Sequence, residues 1–283
     1  MLDEAALNAF IRSALAEDIG NGDHSTMACI PPTAKGKAVL KIKEDGILAG
    51  MEVAEAIFKW LDMYTVFTPH KKDGDAMKAG EIAFEVEAAV HTLLMGERLV
   101  LNCMQRMSGI ATLTHQYVEK LKGYHTRILD TRKTTPNFRM LEKEAVRIGG
   151  GVNHRMGLYD MVMLKDNHID FSGGITAAIT NTVTYLKERN LSLKIEVETR
   201  NLEDVKEVLA VGQVDRIMLD NFAPADIVKA LELINGRFET EASGGITLET
   251  LEAYAKTGID YISVGAIIHH AVSLDLSLKA IIL

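Results

Sequence analysis

Cysteine is scarce: Cys29 and Cys103 are the only two in 283 residues. Two thiols cannot form the disulfide framework of a small secreted domain, and they lack the paired spacing of a zinc site. Both read as inert buried thiols. Long apolar runs are missing too. No hydrophobic stretch approaches the roughly 18 residues of a membrane span, and nothing resembles a signal peptide, so the expected location is cytoplasmic. Positive charge is in deficit, with 31 Lys and Arg against 39 Asp and Glu and a formal net charge of -8. That balance argues against a nucleic-acid binder that works by bulk charge.

Apolar residues make up 47% and charged residues 25% of the chain, enough to bury a sizeable core. The length fits one large domain, or a small domain plus a barrel. The acidic average hides a local reversal. Between Arg98 and His168 there are 12 Lys and Arg against 6 Asp and Glu, which leaves the rest of the chain at -14. Several of these basic residues fall at the ends of expected strands, a placement that favours an anion site over a plain solvated face.

The first third mixes helices and strands. Leu2, Ala6, Phe10 and Ala14 have helical spacing over residues 3–17, with Asp3 placed to cap the helix. Turn chemistry follows at Asp18–Asp23. Gly36–Lys43 alternates, with Ala38, Leu40 and Ile42 on one face. Tyr64–Phe67 and Glu81–Val86 read as further strands, and Met51–Leu61 as a helix. Val90–Lys122 is long and apolar-periodic, with Gly109 expected to break or kink it. The domain boundary falls within or just after this segment, giving domains 1–112 and 113–283.

The second half has another rhythm. Arg127–Asp130, Met161–Lys165, Leu193–Glu198, Arg216–Asp220, Phe238–Ser243 and Tyr261–Val264 are short apolar or β-prone segments that end in polar or glycine residues. The last four recur about every 22 residues, near the length of one strand plus one helix and its loops. Leu202–Ala210, Pro224–Ile234 and Thr247–Thr257 are helical between them. Such alternation means a parallel sheet, doubly wound or closed as a barrel, with its chemistry at the C-terminal strand ends.

The candidate chemistry lies at those ends. Glu241–Ile246 reads Glu-Ala-Ser-Gly-Gly-Ile, and Ile262–Ala266 reads Ile-Ser-Val-Gly-Ala. Glycine lets backbone N–H groups approach a phosphate, and the loops after the last barrel strands are a common phosphate site. Glu198 and Asp220 end two strands and suit a divalent ion or ribose hydroxyls. Glu196 shares a strand face with Glu198, either as a buried partner or as part of the site. Arg132, Lys133, His154, Arg155 and Lys165 form a basic set suited to a ligand with several negative charges. Taken singly, each has a plainer reading as a salt-bridge partner. Lys165 also fits a Schiff-base lysine, an alternative that the neighbouring cations oppose. Lys78, in Asp75-Ala76-Met77-Lys78, lacks the hairpin context of a biotin-carrying lysine and reads as a surface residue.

With these residues in view, the chain resembles the quinolinate phosphoribosyltransferases nearly end to end. The likeness runs through Glu17-Asp18-Ile19-Gly20, Gly22-Asp23, Glu97-Arg98, Leu101-Asn102 and Gln105–Thr112. It is strongest at Asp130–Pro136 and Gly149–Gly157, and it continues through Leu164–His168, Leu219-Asp220-Asn221 and the two glycine loops. The resemblance implies an α/β protein: an N-terminal α/β sandwich followed by a seven-stranded, incomplete α/β barrel, with the last helix packing back on the N-terminal domain. Six of those seven strands are readable from pattern alone. It also implies a homodimer in which Arg98 is lent across the interface. Quinolinate would be held by Arg98, Arg132, His154, Arg155 and Lys165. Phosphoribosyl pyrophosphate would be held by Lys133, Glu198, Asp220, Ser243, Gly244 and Gly265, with Mg2+ at Glu198 and Asp220 directly or through water. Lys133, Lys165, Glu198 and Asp220 would be the catalytic groups, with no covalent enzyme intermediate. Asn137 stands where the family often has glycine, and asparagine also tolerates a left-handed turn. Two rival functions are a transferase that uses nicotinate without decarboxylation, and a phosphate-binding protein without catalysis. A barrel aldolase is a third.

Overall fold

The computed structural model describes residues 2–281. In chain order the elements are α1 (Glu4–Ile19), α2 (His24–Cys29), β1 (Lys35–Ile42), β2 (Gly46–Ile47), α3 (Met51–Leu61), β3 (Val66–Pro69), β4 (Ala76–Met77) and β5 (Ile82–Ala89). Next come α4 (Val90–Lys120), β6 (Arg127–Leu129), α5 (Arg139–Ile148), β7 (Val162–Leu164), α6 (Asp166–Ser172), α7 (Ile175–Glu188) and β8 (Ile195–Thr199). The chain ends with α8 (Leu202–Val211), β9 (Arg216–Asp220), α9 (Pro224–Ile234), β10 (Glu239–Ser243), α10 (Leu251–Ala255), β11 (Tyr261–Ser263), α11 (Ala266–His269) and β12 (Leu276–Ile281). They group into two compact units, the first of Met1–His115, Thr134–Gly150 and Ile267–Leu283, the second of Gln116–Lys133 and Gly151–Ala266.

The first unit is built on an antiparallel sheet ordered β12-β1-β5-β3. Ala38, Leu40 and Ile42 are buried as their alternation requires, and Val39 on the other face is buried too, because β1 is a central strand. Phe84 anchors the core, with Phe67 at 4.5 Å and Phe58 of α3 at 6.4 Å between ring centroids. Asp3 caps α1 by accepting from the Ala6 N–H at 2.7 Å. No side chain of its own segment caps α3; Asp73, from a later loop, accepts from the Met51 N–H at 2.9 Å. Tyr64 stands outside β3, in the turn closed by Thr65 N–H to Asp62 O.

Three expectations for this unit are corrected. Gly109 does not break the helix, since α4 runs through it from Val90 to Lys120. A Cβ there would meet the Val272 carbonyl oxygen at 2.0 Å, so glycine serves the approach of another backbone. The last element is a strand rather than a helix: β12 pairs antiparallel with β1, from Leu276 against Ile42 to Ile281 against Lys37. Cys103 is buried as expected, but Cys29 is exposed.

The second unit holds a parallel sheet ordered β6-β11-β10-β9-β8-β7. Its six strands are the six segments visible in the sequence. Val152 forms a further parallel bridge to Leu129 at the β6 edge, where a seventh strand stands in the expected topology. Helices α6 to α10 alternate with the strands, as right-handed parallel crossovers require. The strand middles are apolar and buried, as at Val197, Ile217, Leu219, Ala242 and Ile262. Their polar termini therefore fall together at the C-terminal edge.

Candidate active site

Consecutive parallel strands bring Glu198, Asp220 and Ser243 to the same end of the sheet. Asp220 is in register with Ser243, and Glu198 with Met218. Ser243 Oγ donates to Asp220 Oδ1 at 2.5 Å, and Asn221 Nδ2 donates to Asp220 Oδ2 at 2.6 Å. Lys165, just beyond β7, places Nζ 3.8 Å from Glu198 Oε2. Burial raises the pKa of Glu198, the Lys165 charge lowers it, and the Asp220 carboxylate raises it again. Two neighbouring carboxylates beside a single ammonium suit a hard cation with oxygen ligands, so the pair fits Mg2+.

The glycine loop after β10 is tightly drawn. Gly244 has φ +98°, and a Cβ on it would lie 2.2 Å from Asn221 Oδ1 and 2.9 Å from Asn221 N. Asn221 itself has φ 57°, and its N–H donates to Ser243 O at 2.9 Å. The Ser-Gly-Gly turn is thus locked onto the Asp220-Asn221 strand end. Gly265 follows β11, whose exit is fixed by Val264 N–H to Leu129 O at 3.0 Å.

The basic set is ordered by Asp130. Its buried carboxylate accepts from His154 N at 2.8 Å and from Asn153 Nδ2 at 2.7 Å, which ties the 153–155 segment to the end of β6. Burial lowers the Arg155 pKa, and the Arg132 charge lowers it further. Two guanidiniums in one neighbourhood suit an anion that both can reach. Lys133 is exposed, its N–H donating to Thr131 Oγ1 at 3.1 Å.

His154 lies deeper. Its Nε2 is 2.8 Å from Glu196 Oε2 and 3.5 Å from Glu241 Oε2, and its Nδ1 accepts from Arg155 N at 2.6 Å. Burial would lower the imidazole pKa, but bonding and charge from Glu196 and Glu241 reverse this and raise it to about 9. Glu196 and Glu241 are both 0% exposed. Arg216 supplies the remaining compensation, with Nη1 3.0 Å from Glu241 Oε2.

The structure thus brings Lys165, Glu198, Asp220, Ser243 and Gly244 into one set, and Arg132, His154 and Arg155 into another, within one unit. Arg98 lies exposed on α4 in the other unit. Glu196 resolves as a buried partner of His154, while Glu198 is the carboxylate at the rim. Sequence reasoning missed Arg216, Asn221 and the charge role of Glu241. One signal was available: Glu241 precedes Ser243 by two residues, as Glu196 precedes Glu198, and two-residue spacing shares a strand face. The Schiff-base alternative needs a desolvated amine, but the Lys165 side chain is 47% exposed. Asn137 takes the left-handed turn with φ 62°.

The family described as quinolinate phosphoribosyl transferase, N-terminal domain, matches residues 23–108, and its C-terminal domain counterpart matches residues 110–279. The chain is 47% identical to the chloroplastic nicotinate-nucleotide pyrophosphorylase [carboxylating] of Arabidopsis thaliana, over 96% of this chain and 82% of that protein. It is 44% identical to a probable nicotinate-nucleotide pyrophosphorylase [carboxylating] of Synechocystis, over 97% and 92%. The solved structure of NadC from Streptococcus pyogenes superposes with a TM-score of 0.92 at 40% identity, covering 99% of this chain and 97% of that one. Among the described residues, no helix is long and apolar enough to cross a membrane. The chain belongs to the quinolinate phosphoribosyltransferase family.

Proposed function

We propose that this protein transfers the phosphoribosyl group of phosphoribosyl pyrophosphate to quinolinate with decarboxylation, giving nicotinate mononucleotide, pyrophosphate and CO2 for NAD biosynthesis. The observation that carries the reading is the pairing of two chemically distinct sets in one unit. Arg132, His154 and Arg155, with the 153–155 segment held by Asp130, suit a polyanionic acceptor. Glu198, Asp220 and the Ser243-Gly244 turn suit a sugar phosphate.

In this reading Arg132, Arg155, His154 and Lys165 neutralise the two carboxylates of quinolinate, with Arg98 lent by the partner subunit of a homodimer. Ser243, Gly244 and Gly265 bind the 5′-phosphate, and Glu198 and Asp220 hold the ribose hydroxyls. Those two carboxylates would also hold Mg2+, which when bound neutralises the pyrophosphate leaving group. Bond breaking at the anomeric carbon places positive charge on the ribose ring, next to the Glu198 and Asp220 carboxylates. The pyridine nitrogen attacks that carbon. The ring becomes cationic and stabilises the electron pair left on its carbon as the adjacent carboxylate leaves as CO2, and a proton from solvent then takes the vacated position. The protein's share is positioning, charge stabilisation and exclusion of water. Lys133 is assigned to the phosphates or the acceptor. The cytoplasmic location expected from the sequence remains part of the proposal, with cell fractionation as its check.

The test is turnover of quinolinate and phosphoribosyl pyrophosphate with magnesium, following CO2 and pyrophosphate together. Equal release of both, abolished by a chelator, is expected. Pyrophosphate without CO2, above all with nicotinate as acceptor, would overturn the decarboxylating assignment. Neither product from folded protein would leave a binding protein.

A further inference from the structure

One buried charge cluster has no part in that chemistry. On their strands Glu196 (β8) precedes Glu198 by two residues, Glu241 (β10) precedes Ser243 by two, and Arg216 (β9) precedes Asp220 by four, so all three lie inward of the C-terminal strand ends. Replacing such a cluster with apolar residues of equal volume often costs a protein no stability. A role in stability alone therefore explains it poorly. Its geometry suggests another role. The Glu196 carboxylate is 2.8 Å from His154 Nε2, and Glu241 reaches the same nitrogen at 3.5 Å. Arg216 Nη1 holds Glu241 at 3.0 Å, its Nε and Nη2 take Glu239 at 3.3 and 3.0 Å, and its guanidinium stacks on the Tyr261 ring at 4.4 Å. On the far side of the imidazole, Nδ1 receives the N–H of Arg155, the next residue along.

We propose that Glu196, backed by Glu241 and Arg216, is a positioning residue for the acceptor site: it grips the His154 ring from below and so fixes the direction of the His154-Arg155 backbone and of the Arg155 guanidinium. This inference rests on the assignment of Arg132, His154 and Arg155 to the dicarboxylate. The support is two-sided. Asp130 holds the same segment by its backbone, through His154 N at 2.8 Å and Asn153 Nδ2 at 2.7 Å, while Glu196 holds it by its side chain. With both ring nitrogens engaged, the imidazole cannot rotate without breaking a buried contact. His154, Glu196 and Glu241, whose ligand atoms lie within 4.8 Å of one another, have the composition of a metal site. Arg216 already supplies a cation to that cluster, which favours the positioning role.

The experiment uses full-length protein and two substitutions. Glu196→Gln keeps the volume and an oxygen acceptor for His154 Nε2; Glu196→Met keeps the volume and removes the acceptor. The Gln variant should leave the KM for quinolinate within about threefold of wild type. The Met variant should raise it about ten- to a hundredfold, with the KM for phosphoribosyl pyrophosphate within about twofold. In a His154→Ala background, Glu196→Met should have no further effect on the KM for quinolinate, because the grip then has nothing to hold. Equal rises in both KM values, additive effects in the double variant, or an unchanged KM in a folded Met variant would overturn the inference and leave the proposed function standing. Metal analysis without substrates that found one equivalent, lost in Glu196→Gln, would also overturn it. Absence of wild-type turnover would overturn both.

Discussion

Replacing Gly244 with alanine tests whether the Ser-Gly-Gly turn is shaped by Asn221. The glycine has φ +98°, and the added Cβ would stand 2.2 Å from Asn221 Oδ1, 2.7 Å from its Cγ and 2.9 Å from its backbone N. A side-chain rotation relieves the first two contacts but not the third, so the turn itself must shift. The left-handed backbone costs an alanine about 1–2 kcal/mol. Displacing Asn221 from its 2.6 Å bond to Asp220 costs about 1 kcal/mol more. If this total of about 2–3 kcal/mol falls on the sugar-phosphate site, the KM for phosphoribosyl pyrophosphate rises roughly 30- to 140-fold. The KM for quinolinate should change less than about twofold, since Arg132 and Arg155 sit on other loops. The neighbouring Gly245 provides the control. It also has positive φ, +61°, yet a Cβ there meets nothing within 4 Å. Gly245→Asn, which tolerates the left-handed region, should be near neutral. Initial rates against each substrate, with circular dichroism to confirm folding, decide the matter. A Gly244→Ala enzyme with its phosphoribosyl pyrophosphate KM within about threefold of wild type, or equal damage from both substitutions, would refute the steric reasoning.

Other consequences are measurable. Arg106 donates Nε and Nη2 to Glu142 Oε1 at 3.1 and 2.9 Å, and Nη1 and Nη2 to the Ala271 and Ile268 carbonyls at 2.7 and 2.9 Å, while Glu142 is 0% exposed. Arg106→Met removes the guanidinium from a buried carboxylate that keeps, among the described residues, only neutral donors from Thr135, and should cost about 3–5 kcal/mol in urea unfolding; a loss below about 1 kcal/mol would contradict it. Cys103 is fully buried, and burial pushes its thiol up to about 12, whereas Cys29 is exposed. A thiol reagent should therefore titrate one cysteine in native protein and two after unfolding. Arg132→Ala should impair quinolinate binding far more than phosphoribosyl pyrophosphate binding, and Asp220→Asn the reverse. Equal effects of both changes on both ligands would undo that division.

The local elements were legible because their causes are local. Met51–Leu61 and Pro224–Ile234 carry complete amphipathic patterns, and α3 and α9 have those limits. Asp3 lies beside the helix it caps. The six strands of the second unit announce themselves by apolar runs that end in polar residues, and those ends supplied most of the candidate site. Harder cases were those in which distant chain reassigns a residue. Gly109 looks like a helix breaker in isolation, but its neighbour across space is the Val272 backbone. The resemblance implied a closing helix, but the chain's last described element is a strand whose partner β1 lies more than two hundred residues earlier. Asp73 caps α3 from outside its sequence window.

For the site itself, the amino-acid order determined which residue types reach the strand ends, because two-residue periodicity and strand-helix alternation are properties of the chain. Only the tertiary structure decided how they divide the work. Glu196 and Glu198 share one face of one strand and differ in sequence by position alone. Depth separates them: one meets His154 and Glu241 beneath the rim, the other meets Lys165 at it. A carboxylate's partners and solvation are set by neighbouring strands, and no local pattern encodes which strands those are.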